Sequence, residues 1–201
     1  MTDIAALEAK LQRQQDLEDI RNLLAAYCRG LDRMDEPTLR AIYHDDAVED
    51  RGSGLFIGLA HDWIGWTLKV LPVFSVTQHC ILNSIIDLDG SQARGETYFQ
   101  AYHRFGNNQR LEAQAATGQE IPQDIDWPDG DVELILAGRY LDRFEKRDGV
   151  WRFAYRKMVN DWVHTRPIAE QWFAENPTAY RAQRHIDDTR LGSRLHPEQQ
   201  P

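Results

Sequence analysis

The sequence predicts an α+β domain in which a helical amino-terminal third precedes a curved antiparallel sheet. Three observations carry that prediction. Apolar residues recur mostly every three or four positions over residues 3–31, the period of one buried helix face. From Phe74 onward the period falls to two, with β-branched and aromatic residues alternating with polar ones. The turn sequences DLDGS (87–91) and KRDGV (146–150) then separate pairs of those segments as tight hairpins.

In order along the chain, Leu7, Leu11, Leu17, Ile20, Leu24, Tyr27 and Leu31 make the stripe of a first helix, or of two short ones, whose end Gly30 weakens. Asp35 is placed to cap a second, short helix over about 37–43, with Pro37 in its first turn. Residues 47–56 are mixed and glycine-containing. Trp63, Ile64, Thr67 and Leu68 form the apolar stripe of a third helix over 60–71. Four long strands follow, at 74–88, 93–105, 132–144 and 150–164. The stretch 106–130 is too polar for a core strand and reads as a long loop across the sheet edge. After His164 come a short helical candidate at 168–173 and a polar tail. The division is therefore one domain over 1–165 and an extension over 166–201, consistent with a chain of 201 residues.

Charge and cysteine usage narrow the class. A net charge of -9 opposes long-range attraction to nucleic acid or an anionic membrane. Cys28 and Cys80 form no CxxC pair, which points to free thiols and a cytoplasmic protein. No apolar run approaches the ~18 residues of a membrane helix, and the first residues lack the pattern of a secretory signal. There is no GxGxxG, P-loop or GxSxG motif, so dinucleotide binding, nucleotide hydrolysis and serine-esterase chemistry have no sequence support.

The candidate chemistry centres on His79. Period two puts it on one strand face with Thr77, Ile81 and Asn83, and imidazole is the natural proton carrier near neutral pH once a carboxylate orients it. Tyr27 and Asp32 at the first helix end are candidate partners. Five positions turn an ideal helix through about 140°, so the two converge only if Gly30 loosens the last turn. Trp63, Trp66, Phe74, Tyr98, Tyr102 and Trp162 are candidate lining for a pocket suited to a bulky aromatic substrate. The last strand places Arg152, Arg156, Met158, Asn160, Trp162 and His164 on one face, with Arg156, Asn160 and His164 as candidate donors to substrate oxygens. His61-Asp62, His44-Asp45-Asp46 and a set drawn from His79, His103 and His164 are the conceivable metal ligands. None forms a compact set of three in sequence, so no metal is expected.

Taken in order, AAYCRGLDRMD (25–35), SVTQHCILN (75–83), GETYF (95–99) and GRYLDRFEKRDGVWRFAYRK (138–157) resemble the SnoaL-like branch of the nuclear transport factor 2-like superfamily. That branch includes scytalone dehydratase, bile-acid 7α-dehydratase and hexachlorocyclohexane dehydrochlorinase. The resemblance, over roughly residues 12–165, implies a cone-shaped fold. In it a strongly curved mixed or antiparallel sheet wraps the amino-terminal helices around a deep pocket. It also implies a His–Asp general base, carried here by His79 and Asp32, with Tyr27 matching a tyrosine of the bile-acid enzymes. Arg156, or else Arg139, is the match to an arginine of the dehydrochlorinase.

The expected function is a cofactor-independent lyase, a dehydratase or an aldehyde-releasing retro-aldol enzyme, acting on a hydroxylated aromatic or polycyclic small molecule. The alternatives are a non-catalytic binding protein or the small subunit of a ring-hydroxylating dioxygenase, and an isomerase or hydrolase using the same pocket. The expected partner is a second or third copy of the chain, covering an exposed sheet face.

Overall fold

The computed structural model describes residues 3–168, so the expected helix at 168–173 and almost all of the tail lie outside the described residues. Helix α1 (Ile4–Asp32) starts at Asp3, whose side chain accepts from the Ala6 amide. Its first three turns are exposed. From Asp16 onward Ile20, Leu24, Tyr27, Cys28 and Leu31 are buried, so the second half of the stripe faces the sheet. Asp16 fixes that half: its Oδ1 accepts from Trp151 Nε1 at 2.9 Å, Lys146 Nζ at 2.8 Å and Gln12 Nε2 at 3.1 Å.

Gly30 does not loosen the helix; it admits a neighbour. A Cβ there would lie 2.7 Å from the Leu39 side chain, the one buried residue of α2 (Glu36–Ala41). Asp35 caps α2 by accepting from the Thr38 amide at 3.1 Å, with Pro37 in the first turn. Then come β1 (Tyr43–Asp50), β2 (Ile57–Leu59), α3 (Ala60–Val70), β3 (Val76–Asp89), β4 (Gln92–Gly106), α4 (Arg110–Thr117), β5 (Asp131–Arg147) and β6 (Val150–Pro167). Both hairpins close on two residues: Asp89 pairs with Gln92 around Gly90-Ser91, and Arg147 with Val150 around Asp148-Gly149. Gly90, Asp148 and Gly149 take the positive φ that such turns demand.

Three expectations need correction. The sheet is not a strongly curved or closed cone. Among the described residues its six strands run in the order β2-β1-β6-β5-β4-β3, an open sheet with β2 and β3 at its edges. It is mixed, one of the two forms the resemblance implied, because β1 runs parallel to β6 while every other pair is antiparallel. Two strands lie where none was expected: β1 runs into the mixed stretch 47–56 and β2 follows it, and exposed Asp45 and Asp46 interrupt the alternation that would have marked β1. Finally, the polar insertion contains α4, which buries only Ala113 and Thr117 and so leaves almost no apolar stripe to read.

The sheet carries several bulges. Leu82 and Asn83 of β3 oppose Tyr98 alone, and Ala154 and Asp161 are the extra residues of β6. Each extra residue swaps the faces of everything beyond it. The core lies between the inner sheet face and α1 and α3, with Phe99, Phe105, Tyr140, Phe144 and Phe153 among its fully buried side chains. At Gly138, beside the Asp161 bulge, a Cβ would lie 1.9 Å from the Val159 carbonyl oxygen, so the two strands approach each other there as only glycine allows.

Candidate active site

Asp32 is the last residue of α1 and reaches across to β3. Its Oδ2 accepts the His79 backbone amide at 2.9 Å; its Oδ1 accepts the Thr77 hydroxyl at 3.0 Å and lies 2.7 Å from His79 Nδ1. The side chains of His79 and Asp32 are 9% and 13% exposed. A carboxylate held by an amide and a hydroxyl has no rotational freedom, so it sets both the ring orientation and the tautomer of the histidine. With the proton on Nδ1, the lone pair stands on Nε2, which has no hydrogen-bond partner among the described residues.

His79 lines a cavity of about 60 Å³. Trp63, Trp66 and Thr67 of α3, Phe74, Phe99 and His103 of β4, Leu136 and Tyr140 of β5, and Met158 of β6 form its walls, with Arg51 and Leu55 from the loop after β1 and Thr117 from α4. A second cavity of about 150 Å³ includes Asn160 and Gly118 in its lining and shares Arg51, Leu55, Thr117 and Met158 with the first. The walls are mainly apolar. The rings of Phe74 and His79 both meet His103 edge to face, at 4.8 and 5.5 Å between centroids.

Behind the cavity lies a buried charged network. Asp142, Arg156 and Glu49 stand side by side on β5, β6 and β1 in register. Arg156 is fully buried and donates from Nε and Nη2 to the two Asp142 oxygens, both at 2.8 Å. Its guanidinium carbon lies 4.1 Å from the Tyr27 and Tyr140 ring centroids and 4.2 Å from that of Phe153. Glu49 accepts from the Tyr43 hydroxyl at 2.9 Å and pairs with Arg51 at 2.5 Å. Arg51 also donates to the Tyr27 hydroxyl, contacts Met158 Sδ and lies 4.4 Å over the Trp63 ring.

Burial pushes the Glu49 and Asp142 carboxyls up from their ordinary values, against the pull of the arginines. Burial also pushes up the Tyr27, Tyr43 and Tyr140 hydroxyls, which therefore hold their protons at neutral pH. The Cys28 thiol is pushed up to about 12 by burial, which leaves it unreactive.

Of the residues singled out in the sequence, Trp63, Trp66, Phe74 and His79 line the main cavity, and Asp32 stands behind His79. Tyr27 does not join the pair: α1 stays helical through Asp32, so the ring points to β6 while Asp32 points to β3. Arg156 is spent on Asp142 and the rings around it. Asn83 lies exposed in the β3 bulge, and Asn160 reaches only the outer cavity. Tyr98 and Tyr102 alternate with the inward-facing Phe99, Ala101 and His103, so they lie on the opposite face. Trp162 and His164 are exposed because the Asp161 bulge turns them outward. Arg139 pairs with Glu96 and Asp161.

Sequence reasoning missed Glu49, Arg51, Tyr140 and Asp142, and weighed His103 only as a metal ligand. The available signal was an acid or arginine at inward positions of otherwise apolar strands, as in Ala47–Glu49–Arg51 and Tyr140–Asp142–Phe144. Among the described residues no three His, Cys, Asp or Glu side chains come together as a metal site. His44 meets the Glu145 carbonyl, and Asp46 meets Arg147.

Comparison with known proteins agrees with this architecture. The chain is 24% identical over 151 residues to the γ-hexachlorocyclohexane dehydrochlorinase of Sphingobium indicum, covering 72% of this chain and 91% of that one. It superposes on the type 3 hexachlorocyclohexane dehydrochlorinase of Novosphingobium barchaimii with a TM-score of 0.60 and 18% identity, over 78% of this chain and 93% of that one. A protein of Novosphingobium aromaticivorans provisionally assigned as a scytalone dehydratase gives a TM-score of 0.59 and 22% identity, over 78% and 91%. Residues 12–157 match the SnoaL-like domain, and the chain belongs to that family.

Proposed function

We propose that this chain is a lyase in which His79, oriented by Asp32, is the general base acting on an oxygenated aromatic or polycyclic substrate. The observation that carries the reading is the Asp32–His79 pair at 2.7 Å, on the wall of an apolar cavity. Asp32 holds the Nδ1 proton and stabilises the imidazolium that forms when Nε2 takes a proton. If that proton comes from carbon, the electron pair forms a double bond and an oxygen leaves on the neighbouring carbon, a dehydration. If it comes from a hydroxyl, a carbonyl forms and the adjacent carbon–carbon bond breaks, a retro-aldol cleavage.

Membership of the SnoaL-like family and likeness to proteins named dehydrochlorinase and dehydratase support proton abstraction followed by elimination. Tyr27 acts here as a positioning residue, holding Arg51 against the cavity. The two cavities meet at Arg51, Leu55, Thr117 and Met158, which suits a substrate whose reacting ring enters the inner space while the rest occupies the outer one. The chain works in the cytoplasm as a homo-oligomer assembled over the outer sheet face, where Ile85, Tyr98 and Trp162 are exposed.

The test is incubation of the purified chain with a panel of hydroxylated aromatic and polycyclic compounds, followed by mass spectrometry for loss of water or of a small aldehyde. Turnover that falls by about 10²–10⁴ in His79→Gln supports the reading. Turnover unchanged in that variant overturns it, and binding without turnover of any compound makes the protein a carrier.

A further inference from the structure

Tyr27 and Tyr140 meet edge to face at 5.6 Å, yet their hydroxyls have different fates. That of Tyr27 accepts from Arg51 behind the cavity. Tyr140 lines the cavity and is 1% exposed, and its hydroxyl is bonded to no protein group among the described residues. Its ring is held on both sides. Phe99 of β4 stacks on it at 4.2 Å and 14°, and the Arg156 guanidinium of β6 lies 4.1 Å from its centroid, with β5 between those strands. The clamp fixes the ring on the cavity wall. A tyrosine hydroxyl on a cavity wall that is not committed to a protein group is available to donate to a ligand there.

We infer that Tyr140 donates a hydrogen bond to the substrate oxygen on which negative charge develops, which makes oxygenated rather than halogenated compounds the substrate class. The inference rests on the lyase reading and deepens it. In a dehydration, His79 Nε2 takes the proton from carbon, the carbon–hydrogen pair becomes the double bond, and the carbon–oxygen bond breaks with its pair going to oxygen. Tyr140 steadies that oxygen while the proton returns to it from His79, and water leaves. A chloride leaves without needing a proton, so it gives this hydroxyl little to do. The Arg51 charge beside it is already answered by Glu49, which leaves Tyr140 as a donor not committed to another protein group.

The probe is 4-nitrophenol, whose phenolate stands in for the charged oxygen and absorbs in the visible. Wild type, Tyr140→Phe and the remote control Tyr155→Phe are titrated at a pH where both forms of the probe are present, and their melting temperatures are measured. The expected result is at least about ten-fold weaker phenolate binding in Tyr140→Phe with an unchanged melting temperature, since no protein hydrogen bond is lost. Tyr155→Phe, which loses only its bond to Asp50 away from the cavity, keeps binding the probe. Equal binding by wild type and Tyr140→Phe, or no binding by wild type, overturns the inference. Because binding is read without turnover, a failed substrate search counts against the lyase reading alone.

Discussion

Asp32 accepts three hydrogen bonds across one gap, from the Thr77 hydroxyl and from both the amide and the ring of His79, so it tethers α1 to β3 while setting the histidine. Asp32→Asn keeps the shape but presents an amide where Nδ1–H needs an acceptor. Turnover should fall by about 10²–10⁴, measured on any substrate the panel yields. Strand alternation and the helix end marked His79 and Asp32 as candidates, but their pairing came only from the family resemblance. Tyr27 was misplaced because helical rotation sends it to the other side of the same helix, and its hydroxyl meets an arginine that no periodicity reveals. Tyr27→Phe should cost about 1–2 kcal/mol in denaturant unfolding, since it strips an acceptor from a buried guanidinium.

The elements show why faces were harder to read than strands. All four long strands were legible from alternation and two turns, but alternation has no memory of a bulge. Ala154 and Asp161 split the last strand into three phases, which put Arg156 inside and Trp162 and His164 outside. The α1 anchor gives a pH prediction. Burial works against the Asp16 charge, but the bonds from Lys146, Trp151 and Gln12 outweigh it and hold its carboxyl below the usual value. A carboxyl depressed in the folded state stabilises above its unfolded value, about 3.9, and that stability drains as pH falls through the folded value. Asp16→Asn should therefore melt lower than wild type at neutral pH, with the two curves converging in acid. At Asp142, loss of the carboxylate leaves the fully buried Arg156 unpaired. Asp142→Ala should cost about 3–5 kcal/mol by denaturant titration, more than Tyr27→Phe.

For the whole molecule, the open sheet leaves one face uncovered among the described residues. Leu82, Ile85, Tyr98 and Trp162 are exposed on or beside it, while α1 and α3 cover the other face. No helix among the described residues is long and apolar enough to cross a membrane. Light scattering should give a mass that is a multiple of 23.3 kDa, and Ile85→Glu should lower it; a wild-type mass of one chain would contradict assembly over that face. The sequence conveyed helices first and sheet after, but not closure or openness. Those depend on which strands pair, and β1 and β2 were hidden by acidic and glycine-rich stretches. The central claim is that Asp32 keeps the lone pair of His79 on Nε2, facing the cavity. The most direct measurement is nitrogen NMR of the chain labelled in its histidine rings, with His79 assigned by substitution. The neutral His79 ring should carry its proton on Nδ1 in wild type and lose that preference in Asp32→Asn. A neutral ring protonated on Nε2 in wild type would contradict the account, because no lone pair would then face the substrate.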